Sequence, residues 1–376
     1  MTQNPSAVHP KWDPWVLYDA GCYRLFYLSG RTDQDPWWKT SWICGATSQD
    51  FVHWTHTGPL LEPSVNLAWT SGRIFAGSTY KEDGLFYLFY SAASEIDIAE
   101  EAIGLATSTD GVRWQKEAQP LLSWRDVKNI STTGGVGYAG RCSLAGHLHW
   151  RDPYVVKCPN TEKYYLFFCT SLTSLSMYQG GLGIAVADTL AGPYQLLPPA
   201  AGPGVSQAAD SYNTNSSDVN SSDVNSSDVN SSDVNSLDAS LKWPFYHLER
   251  PQVIFFQNRY HLFFSCFKFS IDPLWLAQVG EHRISDSTLY WYSSDEITGP
   301  FVQNSDLPVV MGSEMTGLYG TTFFPKSHDG DWSQAKNATN LDLTVMGWYH
   351  QDYRLAISQE FVGVWSEDGL SIVENK

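Results

Sequence analysis

The stretch CYRLFYLSG at residues 22–30 is one of five similar segments, and their recurrence decides the fold. The other four are GLFYLFYSA (84–92), KYYLFFCTS (163–171), RYHLFFSCF (259–267) and LTVMGWYH (343–350). Short runs rich in Tyr, Phe and Leu with Gly, Asn, Asp or Ser at their borders are typical of β-strands. A second strand-like segment follows each one, namely ICGATSQDFVHW (43–54), IGLATSTDGVRW (103–114), LGIAVADTLAGPY (182–194), LYWYSSDEITGPF (289–301) and RLAISQEFVGVW (354–365).

Five units of this kind, each too small to bury its own sheet, predict an all-β fold: a five-bladed β-propeller with a central funnel. A generic β-sandwich with repeated turns is the alternative, but a sandwich does not require five like units. The remaining chain is too short for a sizeable second domain. We therefore expect residues 1–376 to form one propeller domain without a C-terminal β-sandwich.

Composition restricts the partners. Aromatic residues make up 14% of the chain, which suits strands and sugar-binding surfaces. The formal net charge of −17 argues against nucleic acid and against a membrane as partners. The N-terminus, MTQNPSAVHPKWDPW, lacks the features of a signal peptide, so we expect a cytoplasmic protein, with unconventional secretion as the alternative.

A low-complexity insert separates the third and fourth units. The pentapeptide repeat SSDVNSSDVNSSDVNSSDVN occupies residues 216–235. Ser, Asn and Asp at this density cannot bury enough apolar surface to offset the entropy of ordering. We expect a flexible surface loop at about 205–241. A Ca²⁺-binding repeat is the alternative, but the Gly turns of known Ca²⁺ loops are absent.

Acidic residues stand at corresponding points ahead of three of the five strands. They are Asp13 in KWDPWVLYDAG (11–21), Asp152 in WRDPYVVKCPNTEK (150–163) and Glu249 in HLERPQVIFFQN (247–258). The second unit has Gly77 and Ser78 at a comparable offset instead. Proline at a strand start needs no special explanation, whereas an ionised acid entering a buried sheet is costly. Since equivalent positions on radially arranged blades converge on the axis, we expect these acids to form one site.

Three convergent carboxylates predict chemistry on sugars. Trp12, Trp15 and Trp150 adjoin them and are candidates for sugar binding. Glycoside cleavage needs one carboxylate as nucleophile or base and a second carboxyl group to protonate the leaving oxygen. A metal cage is the alternative, but no His shares a ligand spacing with the acids. We therefore expect a small sugar substrate, no metal and no cofactor.

The motifs WDPW, WRDP and LERP resemble, in order, the three signature blocks of glycoside hydrolase family 68, the levansucrases, inulosucrases and related β-fructofuranosidases. The family 32 invertases belong to the same clan. The resemblance implies that Asp13 is the nucleophile, that Glu249 is the general acid/base and that Asp152 stabilises the transition state. It also implies that Arg151 and Arg250 bind substrate and keep neighbouring carboxylates ionised. The expected activity is retaining β-fructoside hydrolysis or fructosyl transfer, with sucrose or a related β-fructoside as donor.

The chain departs from the family pattern in three places. The Trp-Ser-Gly-Ser block is replaced by Phe-Ala-Gly-Ser at 75–78, which leaves Ser78 as a candidate substrate ligand. His247 stands where levansucrases carry an acid that binds the glucosyl half, and Cys-Phe-Lys at 266–268 replaces a Ser-Arg segment tied to acceptor binding. Cleavage of a fructosyl bond is therefore better supported than the identity of the donor.

Two alternatives remain open from the sequence. Family 43 arabinosidases and xylosidases also combine a five-bladed propeller with two Asp and one Glu, but they invert configuration. A propeller that binds a glycan without turnover is the second alternative, although retention of all three acids argues against it.

Overall fold

The computed structural model describes residues 9–31, 37–97, 100–129, 136–139, 149–173, 177–205, 243–284, 287–304, 310–311, 317–328, 330–335, 338–351 and 354–374. The low-complexity insert, apart from its first residue, lies outside the described residues. The prediction that it is a surface loop therefore stays a prediction.

The first three sheets are four-stranded and antiparallel, with the strands in chain order. The first contains β1 (Lys11–Asp19), β2 (Cys22–Gly30), β3 (Ser41–Ser48) and β4 (Thr55–Leu61). The second contains β5 (Arg73–Glu82), β6 (Leu85–Ala93), β7 (Glu101–Ser108) and β8 (Gln115–Lys116). The third contains β9 (Trp150–Lys157), β10 (Tyr164–Ser171), β11 (Gly180–Ala187) and β12 (Gln195–Leu196).

The last two sheets each carry one additional short strand. The fourth contains β13 (Glu249–Phe256), β14 (Arg259–Phe267), β15 (Ser287–Ser294) and β16 (Val302–Gln303), with β17 (Val310–Met311) paired to β15. The fifth contains β18 (Tyr319–Pro325), β19 (Leu341–Gln351), β21 (Phe361–Ser366) and β22 (Gly369–Glu374), with β20 (Arg354–Ile357) paired to β19.

Helices are short and peripheral to the sheets. Two α-helices are described, α1 (Pro273–Val279) and α2 (Trp332–Ala335). Single 3-10 turns lie at Trp37–Lys39, Ala68–Thr70, Trp124–Asn129, Lys268–Ser270, Glu281–Arg283 and Lys326–His328. Among the described residues, the helices all fall short of the length and apolarity needed to cross a bilayer.

Tight turns link the first two strands of several sheets. Ala20 and Gly21 between β1 and β2 have φ values of 51° and 82°, and Asp83 and Gly84 between β5 and β6 have 50° and 79°. Positive φ at both central residues defines the two-residue turn whose twist matches that of the flanking strands. The local sequence thus fixes the register of the hairpins that carry the repeated Tyr/Phe/Leu strands.

The five sheets are arranged as a closed ring, which confirms the predicted five-bladed propeller. The innermost strands contact one another in order: β1 with β5, β5 with β9, β9 with β13, β13 with β18, and β18 with β1. Apolar side chains fill the spaces between adjacent sheets, so that one buried cluster joins the third and fourth sheets and another joins the fourth and fifth. The repeated segments found in the sequence are the second and third strands of each blade.

Candidate active site

Each innermost strand is interrupted by a bulge near its start. The pairing register shifts between Trp12 and Trp15 in β1, between Phe75 and Gly77 in β5, between Glu249 and Gln252 in β13, and between Tyr319 and Thr322 in β18. In β9 the same shift appears opposite Phe167 and Cys169. A bulge bends the strand and redirects a side chain, so this layer is where the inner strands turn side chains toward the axis.

The acid–proline motifs form these bulges. Asp13 has φ 49° and Asp152 has φ 53°, and a proline follows each. In β13 the residue with the matching conformation is Arg250, with φ 54°, and Gly320 holds this position in β18 with φ 56°. Left-handed backbone is costly for residues other than Gly, Asn and Asp, which marks these positions as held in place by their surroundings.

The structure corrects the equivalence inferred from sequence for the third acid. Glu249 does not occupy the position of Asp13 and Asp152, because Arg250 does. Glu249 stands one residue before the bulge position and pairs with Ser265 in β14. In the same way, Arg151 stands one residue before Asp152 and pairs with Cys169 in β10. Arg250 in the bulge therefore places a cation among the carboxylates, and its backbone N–H donates to Asp152 Oδ2 at 2.9 Å.

Asp13 lies where the first and fifth sheets meet. Trp348 Nε1 donates to Asp13 Oδ1 at 2.9 Å. Burial raises the pKa of Asp13 to about 8, an effect opposed by the Arg250 charge and reinforced by the negative charges of Asp152 and Glu249. The carboxyl groups therefore titrate as a coupled set.

Asp152 is the most buried of the three acids. Its backbone N–H donates to Ser91 Oγ at 3.3 Å, and its carboxylate accepts from the Arg250 N–H described above. Burial raises the pKa of Asp152, while the adjacent charges of Arg151 and Arg250 oppose the rise. Its fixed carboxylate is suited to binding hydroxyl groups rather than to moving a proton.

Glu249 is contacted from three sides. Tyr319 donates its hydroxyl proton to Glu249 Oε2, Arg151 Nη1 lies 3.6 Å from Oε1, and His247 Nε2 lies 3.7 Å from the same oxygen. Burial raises the pKa of Glu249, with Arg151 opposing and Asp152 adding to the rise. A carboxyl group that retains its proton above the usual range is what a general acid needs.

Arg250 ties the bulges of three blades together. Its Nη1 donates to Gly77 O at 2.9 Å in the second blade, and its Nη2 donates to Pro14 O at 3.3 Å in the first. Its guanidinium also lies over the Trp15 ring, 5.2 Å from the centroid. Fixed in this way, Arg250 acts on Asp13 and Asp152 as an immobile positive charge.

Glu101, at the start of β7, is a component of the site that the sequence reasoning missed. Its carboxylate lies 3.2 Å from Arg73 Nη2, 3.8 Å from Arg151 Nε and 3.7 Å from His149 Nδ1. Although burial opposes it, Arg151, His149 and Arg73 lower the pKa of Glu101 to about 2. The available signal was an acid at the head of the apolar run EAIGLATS.

The tryptophans predicted to bind sugar lie in the hydrophobic core. Trp12 and Trp15 are buried, and Trp15 stacks on Phe26 and donates from Nε1 to Thr79 Oγ1 at 2.9 Å. Trp150 is fully buried and stacks on Phe168. Their packing gives them a structural role, and we assign them no contact with substrate.

Ser78 and His247 differ in their placement. Ser78 is buried, and its hydroxyl accepts from the Val155 N–H at 3.2 Å, so it holds β5 to β9. His247 lies beside Glu249, and its Nδ1 is 3.3 Å from Ser270 Oγ. Within the described part of the chain, no three His, Cys, Asp or Glu side chains are grouped so that they could hold a metal ion.

Part of the chain is similar to known proteins. Residues 13–179 match the model of the glycosyl hydrolases family 32 N-terminal domain, a segment that contains Asp13 and Asp152. A levansucrase of Streptococcus mutans is 27% identical over 142 residues, which are 35% of this chain and 17% of that relative. The chain therefore spans only a minor part of that relative's length.

Solved structures show the same fold. An inulosucrase from Halalkalicoccus jeotgali bound to kestose superposes with a TM-score of 0.61 at 17% identity, covering 98% of this chain and 88% of that one. A thermostable family-43 glycoside hydrolase superposes with a TM-score of 0.60 at 14% identity, covering 100% and 98%. Residues 13–179 are thus similar to the family 32 N-terminal domain, and the whole chain shares its fold with the inulosucrase and the family-43 enzyme.

Proposed function

We propose that the protein is a retaining β-fructofuranosidase or fructosyltransferase that acts on sucrose or a related β-fructoside. The match of residues 13–179 to the family 32 N-terminal domain, the likeness to a levansucrase and the kestose bound to the similar inulosucrase support a fructoside substrate. Asp13 is the nucleophile, Glu249 the general acid/base and Asp152 the carboxylate that binds fructosyl hydroxyls.

One observation carries this assignment. Asp13 accepts from Trp348, and Glu249 accepts from Tyr319. Tyr319 and Trp348 are direct partners in the β18–β19 ladder, with ring centroids 5.2 Å apart. Asp13 and Glu249 are thus held by directly paired residues of one ladder, in keeping with the two cooperating carboxyl groups that glycoside cleavage needs.

The reaction would proceed in two displacements at the anomeric carbon. In the first, the ionised form of Asp13, which the Arg250 charge and the Trp348 hydrogen bond favour against burial, attacks that carbon. Glu249 gives its proton to the glycosidic oxygen, which leaves as the hydroxyl of the departing sugar. In the second, Glu249 accepts the proton of a water or an acceptor hydroxyl, whose oxygen displaces Asp13. The buried carboxylate of Asp152 stabilises the positive charge that develops on the ring.

The first experiment is incubation with sucrose, with free glucose and free fructose quantified over time. Equal amounts would indicate hydrolysis, and glucose in excess of fructose would indicate transfer. Asp13→Asn and Glu249→Gln should each lower turnover at least about a thousandfold while circular dichroism remains unchanged. Turnover surviving in Asp13→Asn would refute the nucleophile assignment.

Stereochemistry separates this proposal from family 43 chemistry. Proton NMR of the first product should show retention of the β-configuration, and rapid denaturation followed by mass spectrometry should show a fructosyl adduct on the peptide that contains Asp13. Inversion, or cleavage of arabinosides in place of fructosides, would instead favour the family 43 alternative.

A further inference from the structure

An exposed phenylalanine lies at the end of an aromatic stack that leads to Glu249. Phe269 is 79% exposed, and its ring stacks on Phe267 with centroids 5.1 Å apart and planes at 12°. Phe267 in turn stacks on Tyr319 at 4.2 Å. Tyr319 is buried and donates to the Glu249 carboxylate.

A second set of contacts, through His247, also connects Phe269 to Glu249. The His247 ring lies 6.4 Å from that of Phe269, and its Nε2 is 3.7 Å from Glu249 Oε1. Phe269 is therefore connected to the proposed general acid both through stacked rings and through an imidazole. Single exposed apolar residues are common on protein surfaces and need no explanation. Phe269 differs from them because its stacked neighbours lead directly to the proposed general acid.

The neighbours of Phe269 in the chain face elsewhere. Lys268 Nζ lies 3.1 Å from Glu281 Oε1, which compensates its charge. Ser270 is buried and its hydroxyl contacts His247. The 3-10 turn Lys268–Ser270 thus presents an apolar ring to solvent, flanked by the polar edge of His247.

A general acid determines where the leaving group lies. Glu249 must protonate the glycosidic oxygen, so the departing sugar occupies the space beside Glu249 and away from Asp13. Pyranose rings carry apolar C–H faces and polar edges, and aromatic rings bury such faces while leaving the hydroxyls free.

We propose that Phe269 is the stacking platform of the leaving-group subsite and takes an uncharged pyranosyl unit, with His247 as its polar neighbour. This inference rests on the proposed function of the same site. Phe269 contacts neither the fructosyl ring nor the reacting atoms, so it acts on the choice of leaving group and acceptor.

The test compares Phe269→Ala with the wild type on two donors: sucrose, which carries a pyranosyl leaving group, and methyl β-D-fructofuranoside, which does not. We expect kcat/KM for sucrose to fall about 5- to 10-fold, in line with the loss of one ring contact. The value for the methyl fructoside should stay within about twofold of wild type. Phe269→Trp should keep the wild-type preference.

Leu274→Ala is the matched control, since Leu274 is exposed on the neighbouring helix α1 and should leave both donors unchanged. Equal losses on the two donors, or no loss on either, would overturn the platform assignment. If the wild type cleaves neither donor, the proposed function itself fails, and that outcome is distinct from a failure at Phe269.

Discussion

At the scale of single residues, four carboxyl groups of similar chemistry acquire different pKa values from their neighbours. Burial raises the pKa of Asp13, Asp152 and Glu249, whereas Glu101 is kept ionised by the cations around it. The difference arises because Glu101 has several close cationic partners, while Asp13 shares one arginine with Asp152. The environment of each group therefore distinguishes the three coupled acids, whose pKa values are raised, from Glu101, whose lowered pKa keeps it charged beside Arg73 and Arg151.

The raised pKa of Asp13 predicts a stability cost at neutral pH. An Asp in the unfolded chain titrates near 3.9, but burial raises the pKa of Asp13 in the folded protein to about 8. Stability conferred by the neutral form is present below about pH 4 and is lost as pH rises to about 8, because only the unfolded chain ionises freely. Asn cannot ionise and keeps an oxygen for Trp348.

Asp13→Asn should therefore raise the melting temperature at pH 8 by on the order of 2 °C and leave it unchanged at pH 4. Differential scanning calorimetry across this pH range provides the measurement. A lower melting temperature for the variant at pH 8 would show that the ionised carboxylate stabilises the fold.

The position of Glu101 predicts a change in pH dependence. Glu101 holds Arg151, and its negative charge opposes ionisation of Glu249. In Glu101→Gln, Arg151 is free to pair more closely with Glu249, so the alkaline limb of kcat/KM should move to lower pH. At the optimum, kcat/KM should fall about 10- to 100-fold, the usual result of misplacing a positioned group.

Glu82→Gln is the control for Glu101, because Glu82 is also ion-paired, to Lys157 at 3.0 Å, but lies outside this cluster. Glu101→Asp keeps the negative charge, so the alkaline limb of its kcat/KM profile should lie at the wild-type pH even if kcat/KM itself is low. A uniform loss of rate at every pH would mean that Glu101 contributes to folding alone.

At the scale of elements, the bulge in each innermost strand positions the residues of the proposed active site. A regular strand alternates its side chains between two faces, and a bulge breaks the alternation at one chosen residue. Asp13, Asp152 and Arg250 occupy this residue in three blades, and Gly320 occupies it in the fifth. Glycine is required there because an added Cβ would lie 2.7 Å from Asp13 Oδ1 and 2.8 Å from Trp348 Nε1.

Gly320→Ala should therefore displace Asp13 and lower kcat about 100-fold, as expected for a shift of ~1 Å in a reacting group. Gly21→Ala is the matched control, since Gly21 also has positive φ (82°) but a Cβ added there would have no atom within 4 Å. Both variants place an alanine at a positive φ and so incur the same backbone strain. Comparable melting temperatures with loss of activity only in Gly320→Ala would therefore show that the added Cβ displaces Asp13. Normal turnover in Gly320→Ala would contradict it.

At the scale of the whole molecule, closure of the ring holds the site together. The proposed nucleophile belongs to the first blade, but its hydrogen-bond donor belongs to the fifth. Aromatic packing secures the interfaces between blades. Trp365 of β21 packs its ring against Phe256, Phe263 and His261 of the fourth blade.

Trp365→Ala should reduce the free energy of unfolding by about 3–5 kcal/mol, because it removes a fully buried ring and leaves a cavity. Urea denaturation followed by fluorescence measures the change. Val364→Ala, at an exposed position on the same strand, should cost less than about 0.5 kcal/mol. A similarly small effect at Trp365 would show that the interface between the fourth and fifth blades contributes little.

The local and repetitive features of this protein are predictable from its amino-acid sequence alone. Strand patterns and turn residues are read within a few positions of the chain, and five repeats of them sufficed to predict the propeller. The turns at Asp50 and Asp110 illustrate this, since each carboxylate accepts N–H bonds from residues two and three positions ahead.

Tertiary structure decided which residues of different blades meet. The pairing of Glu101 with Arg151, the shift that gives Arg250 the bulge of the fourth blade, and the burial of Trp15 and Trp150 all depend on contacts between residues far apart in the chain. Such contacts are fixed by ring closure and by side-chain packing, whose energies depend on distances that spacing along the sequence does not encode. The acids of the proposed site are therefore predictable from the sequence, whereas the neighbours that set their properties depend on the fold.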